Sequence, residues 1–202
     1  MAKVCVVGTT SWGIALATML SRSQHMVYLC ARTEEEATWL GSSTRSHIFG
    51  SAATFPQNLR VTACKKEAFH GVNLVIIAVP SRSFRENVRG ICSYLEDSVM
   101  VVSATKGLEL NTGKRMSQIM EMELPSFLHS SMCAISGPNL ASEITQGKPS
   151  STVVASKNIT AARKVQTIIN STMFRVYTND DIIGVEYGGA LKNIIALGAG
   201  IC

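Results

Sequence analysis

The sequence is poor in several features that common functions require. Aromatic residues make up only 6% of its 202 residues, and the basic side chains, although they give a net charge of +5, are scattered along the chain. A nucleic-acid surface would cluster and interleave the two, so no nucleic-acid partner is expected and a small anionic ligand suits the charge balance better. The six cysteines (Cys5, Cys30, Cys64, Cys92, Cys133 and Cys202) lie far apart, form no C-x-x-C pair and have no histidine at metal-ligand spacing. That pattern argues against disulfides and zinc and leaves buried free thiols as the expectation. The opening MAKVCVVG lacks the basic region, long apolar segment and small-residue cleavage site of a secretory signal, so a cytoplasmic protein is expected. No membrane span is expected either, because the most apolar stretch, residues 181–202, is interrupted by Lys192 and Asn193.

Two further absences fall in the first thirty-odd residues, around the stretch KVCVVGTTSWGIALATML that starts at Lys3. An apolar run from Val4 to Val7 ends at Gly8, and Trp12, Ala15, Leu16, Met19 and Leu20 then recur at helical spacing. Strand, turn and helix in that order can hold a pyrophosphate, because the helix start supplies free N–H donors and a positive partial charge. In G-x-G-x-x-G the glycines make the turn, admit the ligand and let helix pack on strand. Gly8 and Gly13 fill the first and third places, but Thr10 holds the second, where its side chain adds bulk and its hydroxyl could donate to a phosphate oxygen. On these residues alone, a phosphate cradle and an ordinary strand-to-helix turn both stand.

The other absence is a carboxylate. Roughly 20 residues past such a turn, at the end of the second strand, an Asp or Glu usually accepts hydrogen bonds from the ribose hydroxyls of NAD. Here Cys30, Ala31 and Arg32 stand there instead. Arg32 either pairs with the 2′-phosphate of NADP or is a surface residue opening the helical segment TEEEATWL. NADPH or NADH is therefore expected as cofactor, with NADPH favoured.

Further strands are expected at 25–31, 73–80, 99–103, 133–136, 152–156 and 175–178, with 41–60 irregular. Ser81 or Ser83 is expected to cap a helix running through Leu95, with Arg82, Arg85 and Arg89 on one solvated face, and another helix begins near Leu140. The alternation predicts an α/β fold, Rossmann-like and doubly wound, with a mostly parallel sheet and helices on both faces. Ligands in such sheets bind outside the carboxyl ends of the strands. That rule brings the Thr-Thr-Ser turn, Arg32, Val79-Pro80, Lys106 and Gly137-Pro138 to one crevice. Residues 181–202 read as a Gly- and Ala-rich helix in which Glu186 and Lys192 are the only charges after Asp181. A lysine in that setting either exchanges protons with a ligand or extends its tip to solvent.

Five segments together resemble the bacterial-type NAD(P)-dependent glycerol-3-phosphate dehydrogenases: GTTSWG with IALA after it, AVPS at 78–81, TKGLE at 105–109, SGPNLASEI at 136–144, and RVYTNDDIIGVEYGGALKNIIALGAGI at 175–201. The resemblance implies that Lys192 is the catalytic acid/base and that Lys106 contacts substrate and cofactor. It implies cofactor contacts at Gly8, Thr10, Ser11, Trp12, Gly13, Arg32 and Ala141, and substrate contacts at Gly137 and Asn139. The implied reaction is reversible reduction of dihydroxyacetone phosphate to sn-glycerol 3-phosphate, feeding glycerophospholipid synthesis, in a possible homodimer. Thr10, Asn139 (usually Ser or Thr) and Thr33 (often a second basic residue) depart from the family pattern. Residues 1–180 are expected to be the dinucleotide-binding domain, and 181–202 the start of a helical substrate domain that the family continues. The chain alone is then expected to be poorly active, and a non-catalytic dinucleotide-binding module is the alternative reading.

Overall fold

Val4 and Val6 point to one side of the first strand and Cys5 and Val7 to the other, yet all four are buried. An uninterrupted apolar run is what a strand packed on both faces requires. The computed structural model describes residues 1–42 and 55–202. Its strands are β1 (Lys3–Val7), β2 (Met26–Cys30), β3 (Leu59–Thr62), β4 (Leu74–Ile77), β5 (Met100–Ser103), β6 (Met132–Ser136), β7 (Ser150–Ala155) and β8 (Phe174–Asn179). The helices are α1 (Ser11–Arg22), α2 (Glu34–Gly41), α3 (Lys65–Phe69), α4 (Phe84–Ile91), α5 (Met116–Glu123), α6 (Ala141–Thr145), α7 (Ile159–Ile169) and α8 (Ile182–Ile201).

The strands form one sheet in the order β3-β2-β1-β4-β5-β6-β7-β8. The first six are parallel, β7 runs antiparallel to β6, and β8 is parallel to β7. From β1 the chain steps outward to β3 and then returns to the other side of β1 at β4, so the order reverses between those neighbours. That reversal opens a crevice at the carboxyl ends, where a ligand can enter. This is the doubly wound, mostly parallel architecture expected from the sequence.

Two apolar clusters sandwich the sheet. Val6, Leu29, Ile76 and Val102 pack with Ile14 and Leu16 of α1, Ile144 of α6 and Val165 of α7. Val7, Cys30, Ile77 and Val101 pack on the other face with Phe69, Phe84, Val88, Ile119 and Met120. Ile76 and Ile77 are adjacent, wholly buried and in different clusters, so truncating either to Ala is expected to cost about 2–5 kcal/mol.

Several expectations are corrected. Within the stretch read as irregular, residues 43–54 lie outside the described residues, but Leu59–Thr62 is a strand. Only Leu59 and Thr62 of its four residues are buried, so the continuous apolar signal is missing. After Pro80 a 3-10 turn (Ser81–Ser83) precedes α4, a second 3-10 turn (Cys92–Tyr94) carries the chain on to Leu95 as expected, and Ser83 Oγ donates back to the Pro80 carbonyl instead of capping the helix. Arg85 is not on a solvated face. Its guanidinium donates to Glu109 Oε1 at 2.7 Å and also to Glu123, while Arg89 donates to Glu123 at 2.6 Å, joining α4 to α5. Among the cysteines, Cys64 and Cys202 are exposed. Burial pushes the Cys133 thiol up to about 12, so that one is inert at neutral pH.

Candidate functional site

The turn after β1 is built by close approach. Gly8 has φ +108°, and a Cβ there would lie 2.7 Å from Val79 Cγ1 and 2.8 Å from the Ala78 carbonyl oxygen. A Cβ on Gly13 would sit 2.1 Å from the Gly8 oxygen, so only glycine lets α1 start this near the turn. Thr10 behaves differently from the expectation. It is the N-cap of α1, its Oγ1 accepting from Gly13 N at 3.1 Å and donating to the Ala78 carbonyl at 2.8 Å. Its hydroxyl is therefore committed to the helix start and the end of β4. Ser11 and Trp12 are the first two residues of α1, whose amides have no acceptor within the helix. The indole Nε1 of Trp12 is buried without a hydrogen-bond partner. These donors at a glycine-bounded helix start fit the pyrophosphate of a dinucleotide.

Gly8 N donates to the Cys30 carbonyl at 3.2 Å, which places the end of β2 beside the turn. Arg32 follows, with its side chain 80% exposed. It is not free, because its guanidinium is paired with Glu36 of α2. Hydrogen bonds and charge from Glu36 raise the pKa of that guanidinium further.

At the other end of the crevice, Thr105 Oγ1 donates to the Val79 carbonyl at 2.7 Å and ties the loop after β5 to the end of β4. Lys106 is thereby aimed at Gly137, whose carbonyl accepts from its Nζ at 2.7 Å. Burial, and then the charge of Lys192, push the Lys106 pKa below its ordinary value. Gly137 itself admits no side chain, since a Cβ would lie 2.8 Å from Asn139 Oδ1 and 2.9 Å from the Ser151 carbonyl oxygen. Asn139 Nδ2 donates to the Ser151 carbonyl at 2.7 Å, pinning the loop after β6 to β7. Its Oδ1 is buried without a partner. Ala141 opens α6 and packs against the cluster that holds α1.

The last helix brings the second lysine. Asp181 caps α8 by accepting from Gly184 N at 2.8 Å, and Ile182 packs on Ala134 and Ala155. One turn on, Glu186 accepts from Ser117 N at 2.7 Å, Ser117 Oγ at 2.6 Å and Arg115 Nη1 at 2.6 Å. It thus stabilises the start of α5 from another element, and the Arg115 guanidinium also lies 6.0 Å from the Tyr187 ring. Gly189 then passes against the sheet edge, where a Cβ would be 2.4 Å from Ser136 Oγ. Lys192 follows, half-buried, in an open cleft of about 270 Å³ lined by Ser136, Gly137, Val153 and Gly189.

The fold thus brings Gly137 and Lys192 together in one cleft, sets Lys106 beside it on the Gly137 carbonyl, and places Gly8, Ser11, Trp12, Gly13 and Arg32 along the β1–β2 edge. Arg115, Ser117, Glu36 and Thr9 were not singled out from sequence. A lone glutamate at position 186 in an apolar helix was the available hint. Among the described residues no group of His, Cys, Asp and Glu could hold a metal ion, and no helix is long and apolar enough to cross a membrane.

Comparisons with known proteins identify the family. The family model described as NAD-dependent glycerol-3-phosphate dehydrogenase N-terminus matches residues 3–162, and its C-terminal counterpart matches 181–202. A glycerol-3-phosphate dehydrogenase (NAD(P)+) of Dehalococcoides mccartyi strain CBDB1 is 47% identical over all 202 residues, which cover 56% of that protein. The enzyme of the same name from Pelodictyon phaeoclathratiforme is 37% identical over 98% of this chain and 60% of its own. A crystal structure of glycerol-3-phosphate dehydrogenase from Coxiella burnetii superposes with a TM-score of 0.86 at 29% identity, covering 99% of this chain and 60% of the other. The chain therefore spans a little over half the length of these relatives.

Proposed function

The chain belongs to the NAD-dependent glycerol-3-phosphate dehydrogenase family, and on that premise we propose that it acts as an NAD(P)-dependent oxidoreductase interconverting dihydroxyacetone phosphate and sn-glycerol 3-phosphate. The observation that carries this reading is a cleft lined by Gly137 and Lys192, with Lys106 bonded to the Gly137 carbonyl beside it, on the same sheet edge as the glycine-bounded start of α1. A bound reduced nicotinamide would supply the hydride. Lys192, reaching the cleft from α8, gives a proton to the oxygen of the ketone as it becomes an alcohol, and takes it back in the reverse direction. Lys106, anchored on the Gly137 carbonyl, presents a positive charge that steadies the developing alkoxide and attracts the phosphate. Gly137 lets the loop close on β7 without a side chain in the way. Either NADH or NADPH suits this scheme, and the preference turns on how Arg32 is paired. Cytoplasmic supply of glycerophospholipid synthesis and a homodimer belong to the same proposal.

The relatives are longer than this chain. Correct positioning of two reactants is worth about 7–11 kcal/mol. The 202 residues alone are therefore expected to turn over slowly beside a form extended by the remaining segment of a relative. The test follows NADH and NADPH oxidation with dihydroxyacetone phosphate in the extended form and its Lys192→Ala variant. Loss of about 10²–10⁴-fold in kcat with cofactor affinity kept is expected. An active Lys192→Ala variant would remove this lysine from the reaction.

A further inference from the structure

Glu36 joins three parts of the cofactor edge through one carboxylate. Its Oε1 accepts from Thr9 Oγ1 at 2.7 Å, inside the turn between β1 and α1, and from Arg32 Nη2 at 3.2 Å. Its Oε2 accepts from the Arg32 backbone N at 3.0 Å and from Arg32 Nε at 3.4 Å. The Glu36 amide in turn donates to Thr33 Oγ1, the cap of α2, at 3.2 Å. Held from both ends, the side chain is only 22% exposed, whereas Arg32 reaches it from solvent. Burial works against the Glu36 charge, but hydrogen bonds from Arg32 and Thr9, and the Arg32 charge, outweigh it and keep the carboxyl below its ordinary range. The group is ionised at neutral pH.

Its place matters more than its charge. A dinucleotide fold usually takes its ribose-binding acid from the end of the second strand. Here that strand end carries no acid, and α2 delivers one to the same spot, between the phosphate-binding turn and the residue after β2. We propose that Glu36 sets cofactor preference in this chain, facing the adenosine ribose and opposing a 2′-phosphate, with Arg32 as its counter-ion. The inference rests on the dinucleotide reading above. A 2′-phosphate brings a charge of about −1.5 to −2 toward a carboxylate already neutralised by Arg32. To accept it, Arg32 must leave Glu36, and the carboxylate then faces the phosphate unpaired. An unphosphorylated ribose brings no such repulsion, and its hydroxyl donors can take over one of the positions that Arg32 holds on the same oxygens while the charge pairing persists. The preference for NADPH that Arg32 suggests by itself is therefore offset, and NADH binds at least as tightly.

The test is calorimetric titration of NADH and NADPH into the wild type, Glu36→Gln, Arg32→Ala and the double variant. Glu36→Gln is expected to shift the affinity ratio toward NADPH by about tenfold or more. Arg32→Ala is expected to cost NADPH affinity much more in the Glu36→Gln background than in the wild type. An unchanged ratio in Glu36→Gln, or a shift toward NADH, overturns the proposal. A measurement without any variant compares adenosine 2′,5′-bisphosphate with 5′-AMP on the wild type. The bisphosphate is expected to bind no more tightly, and a gain of about tenfold from the 2′-phosphate would also overturn the proposal. If the wild type binds neither dinucleotide, the dinucleotide reading fails and the proposal with it. Tight binding of both with a ratio insensitive to residue 36 removes the proposal alone.

Discussion

Arg115 and Glu186 meet at 2.6 Å with 9% and 8% of their side chains exposed, whereas Arg32 and Glu36 meet at 3.2 Å with 80% and 22% exposed. The chemistry is the same and the surroundings differ. Removing one member of a buried pair leaves a charge without water or partner, which costs far more than the pair contributes over an apolar replacement. An exposed arginine rehydrates when it lets go, so its pairing adds little and is easily exchanged for a ligand. Burial thus makes the first pair a fixed joint between α5 and α8, and leaves the second able to answer a cofactor. The fixed joint sits just under two turns before Lys192 on the same helix, so it also sets where the lysine falls.

The largest expected effect is at the joint. Glu186→Ala should lower stability by about 3–5 kcal/mol in urea unfolding, because Arg115 stays buried without its partner. Replacing both residues by leucine should recover only part of that loss, because the buried Ser117 N and Oγ still lose their acceptor. If the single variant unfolds like the wild type, the joint is not what holds α8. A smaller effect is expected where α8 crosses the sheet edge. Gly189→Ala puts a methyl 2.4 Å from Ser136 Oγ, and such overpacking costs about 1–3 kcal/mol. Adding Ser136→Ala should relieve it, and a Gly189→Ala variant as stable as the wild type would show that the helix can shift.

The smallest effect belongs to the exposed pair, and pH reveals it. The Glu36 carboxyl is held below its ordinary value of 4.5, so its contribution is present above 4.5 and is lost as pH falls through the lower folded-state value. Arg32→Ala should therefore leave stability at pH 7 nearly unchanged and slightly flatten its decline below 4.5. A large loss of stability at neutral pH in that variant would make the pair structural and erase the contrast.

Much of this architecture could be read from the residues. β1, β4, β5 and β6 are continuous apolar runs because both their faces are covered, and the strand-end rule then places Lys106 and Gly137 at the crevice. β3 escaped because Arg60 faces outward and only four residues pair. The direction of the Thr10 hydroxyl depends on Ala78, 68 positions away, and the joint on residues 71 apart. No local pattern encodes such contacts. Glu36 was hidden differently. Its spacing from Arg32 is that of an ordinary helical ion pair, and only the bond to Thr9, 27 positions back, gives it a place at the cofactor edge.

The contrast between the two pairs can be observed directly by following the arginine Nε resonances of isotopically labelled protein during titration with NADH and then NADPH. Arg115 is expected to keep its position with both, and Arg32 to move far more with NADPH, as its guanidinium exchanges Glu36 for the 2′-phosphate. An Arg32 resonance indifferent to saturating NADPH, or an Arg115 resonance that shifts as much as that of Arg32, would contradict that contrast.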